Sequence, residues 1–242
     1  MLNIGVLKAR GKEAMKANYW MSVVVAMILG GAAAGAGSGT GSSASNAFKD
    51  RELLKDPDFI KIFLAVLAVA AVLAVVFILL DIFVFNPLEA GCLNFFRENN
   101  ETKNGQFGAL GAGFKPSWLN NVKTLFLRDI FLLLWGLLFI IPGIVKSYSY
   151  RMVPYIITDH PEISGTEAIT LSRKMMKGHK MEAFFFDLSF LGWILLGCIT
   201  CGILLVFYVN PYYYNASAGI YNILKNDYPE LKATEQFVVS KQ

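Results

Sequence analysis

The stretch Asp187-Leu-Ser-Phe-Leu-Gly-Trp193-Ile-Leu-Leu-Gly-Cys198-Ile-Thr-Cys201-Gly-Ile-Leu-Leu-Val-Phe-Tyr-Val-Asn210-Pro211-Tyr212, which runs on without a charge to Lys225, decides the architecture. Between Asp187 and Lys225 lie 37 uncharged residues. As a single helix rising about 1.5 Å per residue they would reach about 55 Å, nearly twice the roughly 30 Å hydrocarbon core of a bilayer. The small, turn-permissive residues Gly197-Cys198-Ile199-Thr200-Cys201-Gly202 lie about a third of the way along, so the run is expected to fold back as a hairpin of two helices, about 183–197 and 203–224.

The whole chain has the same character. Of 242 residues, 55% are hydrophobic and 17% charged, with a mean hydropathy of +0.48, against roughly 25% charged in soluble domains. That is the composition of an integral membrane protein. The net charge of +4 comes from 22 Lys and Arg against 18 Asp and Glu, scattered along the chain. No nucleic-acid partner is expected from such a spread, and the basic residues read as topology signals instead. Three cysteines make no disulfide scaffold and two histidines no metal centre. No cofactor is expected.

Gaps between charges locate the other segments. Residues 17–48 carry no charge, and 19–36 form the first expected crossing. The run 59–85 is interrupted only by Lys61 and Asp81 near its ends and forms the second. The third spans 122–141 and stops at Ile141-Pro142-Gly143; the fourth, 144–157, is required by the charge distribution although it contains Lys146 and Arg151. Lys8, Arg10, Lys12 and Lys16 against Glu13 put the N-terminus in the cytoplasm, and the balanced charges of loop 37–58 put that loop outside. Lys and Arg at 86–123 and 173–180 mark two further inside segments. The expectation is therefore an all-α integral membrane protein of one domain, 1–242, with six transmembrane helices as three hairpins, interfacial amphipathic helices between them and both ends inside.

Internal likeness supports three hairpins. Asp129 precedes Trp135 by six residues as Asp187 precedes Trp193, and the returning segments reach Asn86-Pro87, Val153-Pro154 and Asn210-Pro211. Each proline removes a helical hydrogen bond and is expected to kink its helix, with Asn86 and Asn210 as local partners for the freed carbonyls. Met15-Lys16-Ala17-Asn18 matches Met176-Lys177-Gly178-His179 loosely, and Gly91-Cys-Leu-Asn94-Phe-Phe-Arg97 matches Gly219-Ile-Tyr-Asn222-Ile-Leu-Lys225.

The run Leu134-Trp135-Gly136-Leu137-Leu138-Phe139-Ile140-Ile141-Pro142-Gly143-Ile144-Val145-Lys146, with Tyr148-Ser149-Tyr150-Arg151-Met152-Val153-Pro154-Tyr155, Asp159-His160-Pro161, Leu171-Ser172-Arg173-Lys174-Met175-Met176-Lys177-Gly178-His179-Lys180 and Leu188-Ser189-Phe190-Leu191-Gly192-Trp193, resembles the bacterial integral-membrane family known as domain of unknown function 975. The resemblance covers nearly the whole chain and is densest at 134–212. It implies a multi-pass protein of the bacterial plasma membrane, chiefly in Gram-positive bacteria, and carries over no catalytic residue. The family usually shows Leu-Thr-x-Gly where this chain has Cys198-Ile-Thr-Cys201-Gly, so a family-wide cysteine role is not implied.

Each motif with chemical potential has a plainer competitor. The basic start, the apolar Trp20 to Leu29 and Ala32-Ala-Ala34-Gly-Ala36 resemble a cleavable leader, which would leave five crossings; otherwise Gly30, Gly31, Ala34 and Gly35 form a small-residue packing face. Cys198-x-x-Cys201 has the spacing of a thiol pair but no soluble strand-to-helix context, and reads as small apolar residues in a turn. Arg173, Lys174, Lys177, His179 and Lys180 form a basic patch that suits anionic headgroups at the inner leaflet or simple positive-inside anchoring.

Ionisable residues within spans are the strongest functional pointers, because each costs at least about 2.5 kcal/mol at the bilayer centre unless paired or hydrated. Asp129, Arg151 and Asp187 form the candidate polar cluster, and Arg151 is expected to pair with Asp129 before Asp187. The competing arrangement has Arg128 neutralise Asp129. The expected function is non-enzymatic: a scaffold, regulator or accessory of another membrane system, with the bilayer and a membrane protein as partners. A small-solute or lipid transporter is the alternative, favoured if the three residues line one hydrated cavity. No oligomeric state is readable.

Overall fold

The structure, a computed structural model, describes residues 2–37, 57–114, 118–228 and 231, with backbone alone at 31–37 and 57–59. Loop 37–58, apart from its ends, therefore lies outside the described residues, as does most of the small-residue face after Gly30. Every regular element among the described residues is helical.

The chain opens with α1 (Ile4–Ala17), whose N-cap Asn3 side chain accepts from Gly5 N and Val6 N. Its buried residues Leu7, Gly11, Ala14 and Met15 share one face, the periodicity of a helix lying on a surface. Helix α2 (Tyr19–Gly37) follows after Asn18. Helix α3 (Pro57–Leu80) continues through a looser turn, Asp81–Phe85, into α4 (Asn86–Thr102). From Ile60 to Leu80 every side chain of α3 is exposed, on all sides of the helix.

Next, α5 (Trp118–Leu138) and α6 (Ile140–Tyr150) form a hairpin. The reversal falls at Phe139, in extended conformation, and not at Pro142-Gly143 as the sequence suggested. Pro142 sits in the first turn of α6, where a missing N–H costs nothing. Gly143 instead brings the helices together: a Cβ there would lie 3.0 Å from Gly136 Cα.

The expected helix 144–157 is divided. It is α6, a turn at Arg151-Met152, and α7 (Val153–Asp159), with Pro154 in the first turn of the second piece. Helices α8 (Gly165–Met175), α9 (Lys180–Leu188) and α10 (Leu191–Ile199) follow. The long apolar run then reverses at Cys201 (φ 50°) and Gly202 (φ 84°), and Gly197 admits the Leu205 side chain across the hairpin. A looser turn, Leu205–Val209, leads into α11 (Asn210–Lys225). Among the described residues two helices are long and apolar enough to cross a membrane, Ile60–Thr102 and Lys180–Ile199, and Tyr19–Gly30 is a shorter apolar one. Helix length alone thus supports fewer crossings than the charge pattern suggested.

The prolines explain how the pieces join. Asn86 N and Asn210 N each donate five residues back, to Asp81 O and Leu205 O, so a wide turn precedes both Asn-Pro pairs. Pro87 and Pro211 cannot donate to the carbonyls four residues earlier, Phe83 O and Phe207 O. Asn86 and Asn210 do not cap them. Trp118 Nε1, at the start of α5, donates to Phe83 O at 3.3 Å, and Tyr19 Oη, at the start of α2, donates to Phe207 O at 3.0 Å. At the third junction Ser172 of α8 accepts from Met152 N at 3.2 Å and donates to Ser149 O at 2.8 Å.

The break at Pro87 is thus clasped by the start of α5, the one at Pro154 by α8 and the one at Pro211 by the start of α2, a ring of junctions. The ring is reinforced by buried amides: Asn99 Nδ2 donates to Asn215 Oδ1 (2.7 Å) and Ala14 O (2.9 Å), while Asn215 Nδ2 donates to Ser22 Oγ (3.1 Å). We expect Tyr19→Phe to lower unfolding free energy by about 1 kcal/mol, the usual net value of one hydrogen bond. The loss should shrink in a Pro211→Ala background, where a restored N–H fills Phe207 O. Thermal unfolding of the four chains in detergent checks this; additive losses would dissociate the tyrosine from the proline.

Candidate functional site

Two of the three residues of the expected cluster meet. Helix α6 ends at Arg151, and α9 carries Asp187 toward it: Arg151 Nη1 and Nη2 reach Asp187 Oδ2 and Oδ1 at 2.9 and 3.0 Å. Tyr148 and Tyr213 hydroxyls each donate to Asp187 at 2.9 Å, and Arg151 also donates to Tyr213 Oη and Ser217 Oγ. The planar guanidinium suits this two-pronged grip.

Asp129 is not Arg151's partner. Its Oδ1 accepts from Arg128 Nε at 2.8 Å and its Oδ2 from Asn86 Nδ2 at 2.9 Å, while Arg128 also reaches Glu89 at 3.3 Å. Sequence neighbours on one helix settled the competition, because Arg128 needs no offset to reach Asp129 whereas Arg151 lies on another helix beside α9. Arg151, Asp187, Arg128 and Glu89 all line one cavity of about 480 Å³, walled further by Tyr148, Tyr155, Tyr213 and Tyr214. Asp129 is not among its lining residues.

The basic patch divides. Arg173, Lys174, Lys177 and Lys180 line a cleft of about 420 Å³ together with Lys146, Ser149 and Thr170. His179 is not among its lining residues, and its Nδ1 lies 2.8 Å from Glu182 Oε2. Lys146 belongs to the fourth expected span and not to the basic patch, but α6 packs against α8 and α9, which draws Lys146 to the others. Cys198 and Cys201 are exposed thiols at the hairpin tip. Among the described residues no group of three metal-ligating side chains occurs.

A third site was not anticipated. Asp159, the last residue of α7, is nearly buried and takes Arg97 Nη1 of α4 at 2.9 Å, Lys225 Nζ of α11 at 2.8 Å and the Tyr221 hydroxyl at 2.9 Å. Burial alone would raise its carboxyl, but the His160 ring 3.4 Å away, the Arg97 guanidinium and the Lys225 ammonium together hold it well below the usual carboxylate range. The sequence contained a hint: Arg97 and Lys225 occupy corresponding places in the two matched segments, and two such cations at one level require an anion between them.

The fold is thus an all-α protein of helical hairpins whose largely apolar core encloses polar networks. Residues 53–227, well over half of the chain, match the family of proteins of unknown function DUF975, and the chain belongs to that family. No curated protein and no solved structure matches it.

Two expectations follow. Arg151→Gln and Asp187→Asn should each cost about 3 kcal/mol, the penalty for stranding one member of a shielded pair, and the double variant should cost far less than their sum. Arg151→Gln with Asp129→Asn should be additive; folded yield and unfolding in detergent measure both. The folded carboxyl of Asp159 titrates below its unfolded value of about 3.9, so its contribution is complete above that pH and is lost as pH falls through the acid range toward the folded value. Unfolding free energy should therefore fall more steeply on acidification in the natural chain than in Asp159→Asn.

Proposed function

We propose that the protein is a multi-pass protein of the bacterial plasma membrane, with three hairpins making six crossings and both termini in the cytoplasm. It acts without covalent chemistry, as a scaffold, regulator or accessory of another membrane system. The observation that carries the membrane reading is α3, apolar and exposed around its whole circumference from Ile62 to Leu80. In water such a surface would be a large aggregation liability, whereas lipid or a membrane partner is its natural solvent. The exposed tips of the other hairpins, Leu137, Phe139, Ile140 and Ile141 in one and Ile199 and Ile203 in the other, have the same chemistry.

The non-enzymatic reading rests on how fully the interior charges answer one another. Arg151 and Arg128 are each held by carboxylates, so the pairs read as staples between helices. The alternative, a transporter for a small solute or lipid, is favoured by one observation: both pairs line the same cavity.

Cysteine accessibility tests the topology in a chain whose three native cysteines are replaced by Ala or Ser. Ser42→Cys is expected to label from outside intact cells, and Ser164→Cys and Lys241→Cys only after permeabilisation. Outside labelling at Ser164 would remove the fourth crossing and the three-hairpin arrangement with it.

A further inference from the structure

The basic cleft holds more charge than anchoring explains. Lys146 comes from α6, Arg173 and Lys174 from the last turn of α8, Lys177 from the following turn and Lys180 from the first turn of α9. Three helices and one turn thus deliver five cations to one concavity of about 420 Å³, and no carboxylate lines it. None of the five forms an ion pair with a carboxylate among the described residues. The closest acid in sequence, Glu182, is engaged by His179 Nδ1 at 2.8 Å and by Leu2 N at 2.9 Å.

Positive residues at a helix C-terminus are ordinary, since they complement its dipole. That accounts for Arg173 and Lys174 but not for Lys146, which lies mid-helix with its ammonium 4.4 Å from the centre of the Trp135 ring, nor for Lys180 at a helix start. Gly178, at φ 92°, turns the chain between Lys177 and Lys180 in a conformation that side chains rarely adopt. Like charges gathered this way repel, and an anion among them relieves the repulsion. Ser149 and Thr170 also line the cleft, but their hydroxyls donate to Val145 O at 3.0 Å and Thr166 O at 2.8 Å, so the cations alone are left to meet an anion.

The surroundings identify the carrier of that anion. Ile144 and Val145 flank Lys146, while Met181, Phe184 and Phe185 follow Lys180, all exposed. A ligand seated here meets cations in the cleft, and exposed apolar side chains stand next to Lys146 and Lys180 along the same two helices, so both halves of a lipid find a matching surface.

We propose that Lys146, Arg173, Lys174, Lys177 and Lys180 form a specific site for the phosphate of an anionic phospholipid, one headgroup per chain. Its acyl chains lie along the rim of Ile144, Val145, Met181 and Phe184. This site rests on the membrane reading above but goes beyond surface attraction: it needs Lys146, which a flat basic patch would not use, and omits His179.

The full chain, purified in detergent, is titrated with phosphatidylglycerol, phosphatidylcholine or inorganic phosphate, and bound molecules are counted by native mass spectrometry. One phosphatidylglycerol is expected to saturate, with at least a tenfold preference over phosphatidylcholine. Lys146→Gln and Arg173→Gln should each weaken it about fivefold, the worth of one basic residue against an anionic lipid. Lys146→Arg should restore binding, which keeps the test valid if the glutamine variant is poorly folded, and His179→Gln should leave binding unchanged. Equal affinity for the choline lipid, or indifference to Lys146→Gln, would overturn the site. Inorganic phosphate binding as tightly as the lipid would overturn the lipid in favour of a free phosphate. Recovery of the chain from carbonate-washed membranes is scored separately, so failure of this site and failure of the membrane reading give different results.

Discussion

Three prolines leave helical carbonyls or their neighbouring turns without an internal donor, and the rest of the structure is arranged to supply one. A proline removes a helical donor, and beside each one a partner from elsewhere in the chain makes a hydrogen bond, at an exposed position in the first and third segments and a buried one in the second. Trp118 serves the first, Ser172 the second and Tyr19 the third. The charged contacts follow the same order: Asn86 meets Asp129, and Arg151 meets Asp187. Below them α7 delivers Asp159 to Arg97 and Lys225, so the three segments that follow the prolines are tied through one carboxylate.

This division separates two kinds of surface within one small protein. The amide and serine network is enclosed: Asn99, Asn215, Ser22 and Ser172 are all fully buried. The hairpin tips and α3 present almost nothing but hydrocarbon. A buried amide network is costly unless satisfied, and here its members bond chiefly to one another and to backbone carbonyls. Specificity of assembly therefore resides in the polar junctions, and the apolar arms can change their outward side chains freely so long as they remain greasy.

The sequence disclosed what local rules govern and withheld what depends on which helices are neighbours. The hairpin at Cys201-Gly202 was legible because 37 uncharged residues exceed any single span and small residues mark the turn. The proline junctions were legible as breaks, but their donors were not, since nothing near Pro211 in sequence points to Tyr19. Arg151 was legible as a residue in need of a partner. Its choice of Asp187 was not, because depth along a span says nothing about which helices lie side by side. The company of Lys146 was not legible for a related reason: its place at the start of the fourth expected span does not say that α6 leans on α8 and α9. Asp159 was passed over because it sits outside any span, where a carboxylate is unremarkable by composition.

The clasp between Tyr19 and Phe207 joins residues 188 positions apart, and it has a consequence for synthesis. The other two clasps close over short stretches, 35 residues from Phe83 to Trp118 and 23 from Ser149 to Ser172. At roughly 5–20 residues per second, the first apolar arm leaves the ribosome roughly ten to forty seconds before its last partner exists. For that interval Tyr19 has no counterpart, and Ser22 and Asn99 both lack Asn215. Helix α2, among the first elements made, is therefore the last to be locked, and until then it depends on whatever holds nascent apolar helices.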